Sequence, residues 1–248
     1  MANITLDMTA GRLLKIIRGD KFEVTMTGTP QEQETITVSE NSVIQKRGGE
    51  NNNGDAVGGT INFFGNILFG GRAELAKAST LDVVVSLPDA CNLTLNINGL
   101  YQTVSIDDTG ISSLHISVNG STRVSAQKAK NFCGYVNGSG SITLQEISGS
   151  APVEVVVNGS GDIKVSGGSG TISASVNGSG DITMNDVHQG NMFANISGSG
   201  SITITGQLYT LVSNIAGSGH VGLTTSERPH TVSKAVSGSG RLSIDVVS

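Results

Sequence analysis

The sequence predicts an all-β protein, a single-stranded, right-handed parallel β-helix (β-solenoid) with about 20 residues per coil. Three observations predict this fold. The triplet Gly-Ser-Gly returns at intervals of 21, 19, 20, 19 and 21 residues. Apolar and polar residues alternate before each triplet, and a second alternating segment follows it, as in strands that bury one face. The triplets begin at Gly138, Gly159, Gly178, Gly198, Gly217 and Gly238.

Each coil is predicted to hold two strands and a looser third segment. Before Gly159, apolar residues stand at every second position of 153–157, and after it Ile163 and Val165 flank a single polar residue. No coil can bury its apolar face alone, but stacked coils share one continuous core. The third segment adds apolar residues that point to the same interior, Ile147, Val187 and Leu208.

We interpret the triplet as a tight corner, because glycine adopts positive φ angles without strain. The position before the triplet is asparagine in five successive coils, counting two degenerate copies of the motif. Stacked asparagine amides can hydrogen-bond from coil to coil. We therefore predict an asparagine ladder and a serine ladder beside it, as corner structure and not as a polar binding stripe. Their members are Asn98, Asn119, Asn137, Asn158, Asn177, Ser139, Ser160, Ser179, Ser199, Ser218 and Ser239.

Residues 1–91 lack the 20-residue period but contain strand patterns such as ITLDM, LLKII and FEVTMTG. We interpret them as the initial strands of the same solenoid, interrupted by a Gly/Asn-rich insertion at 47–72. Residues 92–248 are predicted to form the regular coils. Both parts are expected to make one continuous domain.

The insertion contains the apolar stretch INFFGNILF. Exposed aromatic patches mark interfaces, and long loops in compact domains are often functional. Two interpretations follow: the insertion covers an open end or side of the solenoid, or it forms a surface for self-association or a partner. The candidate interaction patch is Phe63, Phe64, Ile67, Leu68 and Phe69.

Composition excludes several classes of protein. The chain has 248 residues, 37% of them hydrophobic, 34 glycines and a net charge of −5. This mild acidity, without a stripe of Lys and Arg, excludes a nucleic-acid surface. No apolar run approaches the roughly 20 residues that span a bilayer, so we predict no membrane span. The first residues lack the basic and apolar regions of a secretory signal, so we expect no signal peptide.

Reactive side chains form no known catalytic pattern. The four histidines are scattered, and Cys91 and Cys133 lack the spacing of metal ligands. Nucleotide-binding, zinc-protease and nucleophile-elbow motifs do not occur. The sequence therefore predicts a protein that is not an enzyme, with no catalytic residue, cofactor or metal.

Asp162 and Asp181 are the weak ligand candidates. Both follow the triplet in neighbouring coils, so their carboxylates are expected about one coil spacing apart, roughly 5 Å. Such a pair suits glycoside chemistry or a hard cation. We interpret it as a solvated surface pair, because serines occupy the same column in the flanking coils and Lys164 lies close.

The chain resembles the head-GIN-domain family of bacterial autotransporter adhesins, a β-helical family of unknown function. The resemblance rests on the turn IIRGDKFEVTMTG, the strand LDVVVSLPD and the repeated V-x-G-S-G-[DS]-[IV]-x-[LV] unit. It covers about residues 12–46 and 79–248. The resemblance implies a β-helical fold and, by the family's name, an adhesive role at the cell envelope or surface. It supplies no catalytic residues.

The predicted function is a non-enzymatic β-helical binding or scaffold domain of adhesin type. One alternative is a carbohydrate-binding or polysaccharide-active protein that uses the Asp162/Asp181 face. The other is a structural protein that self-assembles through residues 61–69. The expected partners are a second copy, a protein or a glycan.

Overall fold

The computed structural model describes residues 2–45, 80–107 and 110–247. The insertion at 47–72 and its candidate patch lie outside the described residues. The elements in chain order are β1 (Asn3–Arg18), β2 (Glu23–Thr27), α1 (Pro30–Gln33), β3 (Ile36–Ser39), β4 (Ser42–Gln45), β5 (Asp82–Leu87), β6 (Asn92–Ile106), β7 (Ser113–Gly120), β8 (Arg123–Ala129), β9 (Asn131–Gly138), β10 (Ser141–Ile147), β11 (Val153–Gly159), β12 (Asp162–Gly167), β13 (Thr171–Gly178), β14 (Asp181–Gly198), β15 (Ser201–Gly217), β16 (His220–Thr225), β17 (Thr231–Ser237) and β18 (Arg241–Val246).

From β6 onward the chain winds as a parallel β-solenoid of about eight turns spaced roughly 20 residues apart, which confirms the predicted fold class. In each turn, one strand lies on a flat side of the solenoid that we call the ladder face. Strands β7, β9, β11 and β13 lie on this face in successive turns. The chain then passes the Gly-Ser-Gly corner and lays a second strand on the opposite face, represented by β8, β10 and β12. The long strands β14 and β15 each continue from the opposite face to the next ladder-face strand.

The core is a stack of inward columns in which equivalent residues of successive coils lie in register. Val118, Val136, Val157 and Val176 form one such column and are fully buried. Burying a valine side chain stabilises a fold by about 1.5–3 kcal/mol, so each column contributes with every added coil. The third segment is buried as well, as predicted from Ile147, Val187 and Leu208.

The first strand does not lie at the end of the stack. β1 pairs in parallel with β6 on one side and with β4 and β5 on the other. β2 and β3 pair antiparallel with β5 and β4 at the outer edge. The short turn between β3 and β4 makes that pair antiparallel, because parallel neighbours need a long crossover. The short turn between β1 and β2 reverses β2 relative to β1, and β1 is parallel to β5. The initial strands therefore join the stack, but two of them leave the parallel arrangement.

A buried polar contact ties these initial strands to the regular coils. The Gln45 Oε1 atom accepts hydrogen bonds from the Thr9 N–H (3.0 Å) and from the Tyr101 hydroxyl (2.9 Å). Burial raises the pKa of Tyr101, which keeps the hydroxyl protonated as a donor. Strands β1, β4 and β6 are thus held together by one shared acceptor.

The last coil has no further coil stacked on it within the described part of the chain. Val232 and Val236 occupy inward columns yet are 42% and 36% exposed. Lys234 lies between them, in register with the buried Ser213 of the preceding coil. An inward-pointing lysine on an edge strand opposes edge-to-edge pairing, because another strand would bury its charge. In residues 2–45, 80–107 and 110–247, no helix has the length and apolarity to cross a membrane.

Candidate binding site at the loop corner

The five predicted ladder asparagines lie in one column along the Gly-Ser-Gly corner. From Asn119 onward, each amide Nδ2 donates a hydrogen bond to the Oδ1 of the asparagine one coil earlier. The four bonds, from Asn119 to Asn98 and onward to Asn177, measure 2.7, 2.7, 2.8 and 2.8 Å. The left-handed residue of the corner is the following glycine, with φ of +130° at Gly138 and +129° at Gly159. The asparagines therefore act through their amides and not through an unusual backbone.

The six predicted serines follow these glycines, and their backbone connects the coils. The N–H groups of Ser160 and Ser179 donate to the carbonyl oxygens of Gly138 and Gly159, each at 2.9 Å. Within the described residues, no hydrogen bond joins the hydroxyl of one of these serines to that of the next. The column is therefore held by its backbone, while the hydroxyls face solvent.

The ladder gives a first testable prediction. Asn158→Ala removes two amide hydrogen bonds, whereas Asn98→Ala removes one, because Asn98 ends the column. We expect Asn158→Ala to lower the free energy of unfolding by about 1 kcal/mol and Asn98→Ala by about half of that. Urea unfolding followed by circular dichroism measures both values, and equal losses would show that the number of amide hydrogen bonds does not determine the cost.

Asp162 and Asp181 lie in register on the opposite face, next to each other in successive coils. The Oδ1 atom of Asp162 accepts the backbone N–H of Asp181 at 3.3 Å. The Oδ1 atom of Asp181 accepts the N–H of Ser201 at 3.0 Å and also the Ser201 hydroxyl. One oxygen of each carboxylate is thus engaged in joining coils. The ligand role of this pair stays a prediction.

A mixed polar cluster lies on the ladder face. The register places His115, Cys133 and Glu154 in one outward column, and the rings of His115 and Tyr135 lie 5.2 Å apart. Burial, and then the Glu154 carboxylate, raise the pKa of Cys133 and raise that of Tyr135 to about 12. A protonated thiol is a poor nucleophile and metal ligand. The cluster is therefore a packed surface group, although its composition suggests reactivity.

The regular coil is interrupted where the opposite face returns to the ladder face. We call this the loop corner and define it as residues 185–191, 205–210 and 225–231. Asp186 and Gln189 adopt positive φ angles of 53° and 50°, and the β14–β15 register shifts nearby. Backbone strain of this kind costs about 1–3 kcal/mol per residue and is concentrated at functional sites.

A depression of about 370 Å³ opens between the three connections of the loop corner. Tyr209 lies in it with 57% of its surface exposed, and its ring centroid is 4.8 Å from that of His230. Leu208 is buried beneath. The remaining lining residues all have planar polar side chains: Gln189, Asn191, Gln207, Glu227 and Arg228.

Hydrogen bonds hold the walls of this depression in place. Gln207 Nε2 donates to the Ser226 hydroxyl at 2.9 Å. The buried Thr225 hydroxyl donates to the Glu227 carbonyl at 2.7 Å and accepts the Glu227 N–H at 3.3 Å. Pro229 is buried and fixes φ between Arg228 and His230. A site braced in this way loses little conformational freedom when a ligand binds.

The chemistry of the loop corner suits recognition. Amide, carboxylate and guanidinium groups together offer many donors and acceptors beside an aromatic ring. The charges of Glu227 and Arg228 balance each other. Among the residues that the structure describes, no three His, Cys, Asp or Glu side chains are grouped so that they could hold a metal ion.

Sequence reasoning missed this site because it followed the repeating positions. The signal was the composition of the connections: the equivalent segment at 166–170 reads SGGSG, whereas 185–191 reads NDVHQGN and 225–231 reads TSERPHT. Variable loops on a rigid scaffold are where binding residues are concentrated.

A second recess of about 420 Å³ lies along the Gly-Ser-Gly corner, where the asparagine column changes to Ser197, Ala216 and Ser237. Asn195 and Asn214 border it and share a hydrogen bond of 3.0 Å. The smaller corner residues open this recess, because they lack the amide that fills the same position in earlier coils. None of its described lining residues is charged or aromatic.

Comparison with solved structures finds a similar fold. A crystal structure described as a "Putative lipid binding protein" from Parabacteroides distasonis matches with a TM-score of 0.59 and 14% sequence identity. The match covers 98% of this chain and 93% of that chain. At this identity the likeness shows the fold alone. No curated protein matched the sequence.

Comparison with protein families confirms the resemblance found in the sequence. The profile described as "Putative auto-transporter adhesin, head GIN domain" matches residues 94–226, which is more than half of the chain. The matched range runs from β6 to the loop corner after β16 and so includes all five ladder asparagines and every ladder serine except Ser239. This chain belongs to the auto-transporter adhesin head GIN domain family.

Proposed function

We propose that the protein is a non-enzymatic binding module that takes its ligand at the loop corner. The observation that carries this proposal is the braced depression, in which an exposed aromatic pair stands among planar polar side chains. Pockets of this kind, with a few fixed polar groups, recognise small molecules or parts of larger ones. The solenoid beneath is a rigid scaffold, and rigid elements position a site better than isolated loops.

The comparisons support binding as the type of function. The family name refers to adhesion, which favours a location at the cell surface or envelope. The structural neighbour is described as lipid-binding. Lipid headgroups, glycans and proteins are therefore the ligand classes to test.

A binding survey with matched variants tests the proposal. The full chain is immobilised and exposed to phospholipid vesicles, a glycan array and surfaces coated with extracellular proteins. We expect saturable binding in at least one class, with the ligand recovered unchanged. Arg228→Ala should weaken this binding, whereas Lys164→Ala on the opposite face should leave it as in the unmodified chain.

Two outcomes would contradict the proposal. Release of a cleaved or otherwise altered ligand would show an enzyme. Equal binding by the Arg228→Ala and Lys164→Ala proteins would show that the ligand binds outside the loop corner.

A further inference from the structure

We infer that the loop corner binds an uncharged carbohydrate chain, with one sugar ring lying on Tyr209. This inference rests on the proposed function, because it names the ligand class of the same depression. Four features of the site support it: the aromatic pair, the hydrogen-bonding groups, the charge balance and the size.

The aromatic pair provides the platform. Tyr209 is 57% exposed, whereas Tyr101 is almost completely buried in the core. Contact with the His230 ring, at 4.8 Å, holds Tyr209 in a defined orientation. Aromatic rings combine a large apolar surface with a polar tip, and pyranose rings have an apolar face of C–H groups that packs on such a surface. The pair is thus suited to a ring that is apolar on its face and polar at its rim.

The polar lining matches hydroxyl groups. A sugar hydroxyl both donates and accepts, and the amides of Gln189, Asn191 and Gln207 each offer donors and an acceptor in one plane. Arg228 adds donors and Glu227 adds acceptors at the rim. The hydrogen bond to Ser226 positions the Gln207 amide, and the two bonds to Thr225 fix the backbone of Glu227, before a ligand arrives.

The balanced charges of the lining favour a neutral sugar over a phosphate-bearing ligand. Phosphate and carboxylate groups are recognised by clusters of cationic side chains. Among the described lining residues, Arg228 is the single cationic side chain with a fixed charge, and Glu227 precedes it in the chain. An anionic headgroup would meet one carboxylate as well as one guanidinium in the lining, whereas a neutral sugar meets a donor and an acceptor.

Strand pairing at the loop corner favours a sugar over an extended peptide. A peptide that adds to a sheet needs an unpaired strand edge. On the side of the last coil, β15 pairs with β16 up to Thr205 and with β17 again from Thr210, so only residues 206–209 lack a strand partner there. This gap is four residues long and is closed at both ends by paired strands, which leaves too short an edge for an added peptide strand. A volume of about 370 Å³ lies near the lower end of small-ligand pockets, which suits one or two sugar rings of a longer chain.

Calorimetric titration with neutral oligosaccharides tests the inference. The probes are the tetramers of β-1,4-glucose, α-1,4-glucose and β-1,4-N-acetylglucosamine, each added to the full chain. We expect at least one to bind. Tyr209→Ala should weaken that probe about tenfold or more, since a stacked ring contributes on this scale, and Tyr209→Phe should retain most of the affinity. Phe193→Ala, which removes an exposed aromatic ring from the ladder face, is the matched control and should bind as the unmodified chain does.

The outcomes distinguish this inference from the proposed function. Binding of a vesicle or a protein that Arg228→Ala weakens, with no oligosaccharide bound, would overturn the carbohydrate assignment and leave the loop corner as the binding site. Oligosaccharide binding that Phe193→Ala abolishes and Tyr209→Ala leaves intact would overturn both. Tyr209 is exposed, so its variants are expected to keep the thermal midpoint of the unmodified chain, and circular dichroism checks this.

Discussion

Replacing Phe132 by alanine is expected to lower the free energy of unfolding by about 3–5 kcal/mol. Phe132 is fully buried and is the largest fully buried side chain among the residues that the structure describes. Its ring extends over Gly134, where an added Cβ would stand 2.6 Å from the Phe132 Cζ atom. Truncation therefore leaves a cavity that the glycine cannot fill. Urea unfolding of the full chain, monitored by circular dichroism, measures the loss.

A double-mutant cycle with Gly134 tests the reason for this loss. In the next coil, the same two inward positions are held by Val153 and Val155. Gly134→Val alone should destabilise by about 1–3 kcal/mol through overpacking against the ring. The double variant Phe132→Val/Gly134→Val has the same two residues as the neighbouring coil. It should therefore recover part of the stability that Gly134→Val alone loses. Additive costs would show that the ring and the glycine do not share one space.

Repetition explains which features were predictable from the sequence. In a solenoid each coil uses the same register, so alternation around one triplet fixes the inward and outward positions of all the others. The column of Val136, Val157 and Val176 follows directly from that register. The predicted family was confirmed for the same reason, since the matched segment contains the repeating unit.

Features outside the repeat could not be predicted in this way. The position of β1 between β5 and β6 depends on pairing between segments far apart in the chain, which no local period encodes. His115 and Cys133 were treated as isolated residues, although the register brings them side by side. The loop corner was missed because Tyr209 and His230 stand in connections of different length and composition, where position in the repeat does not fix geometry.

The corner glycines are expected to tolerate substitution least among the solvent-facing positions. Gly198 has φ of +133°, and an added Cβ would stand 2.3 Å from the carbonyl oxygen of Gly178. The N–H of Ser199 bonds to that carbonyl, and Ser218 bonds to the carbonyl of Gly198, so coils on both sides hold this backbone in place. We expect Gly198→Ala to cost about 3 kcal/mol of unfolding free energy, from the strained φ and the backbone clash together.

Two further substitutions separate these causes. Ser199→Ala changes an exposed hydroxyl in the same corner and should alter stability by less than about 0.5 kcal/mol. Gly238 has a similar conformation, with φ of +115° and a Cβ position 2.5 Å from the Gly217 carbonyl oxygen, but it lies in the last coil. Because this coil is stacked on one side only within the described residues, it can shift away, and Gly238→Ala should cost at most about half as much as Gly198→Ala. If chemical unfolding gives equal losses for the two glycines, the penalty arises from the φ angle alone, and stacking between coils does not confine the corner.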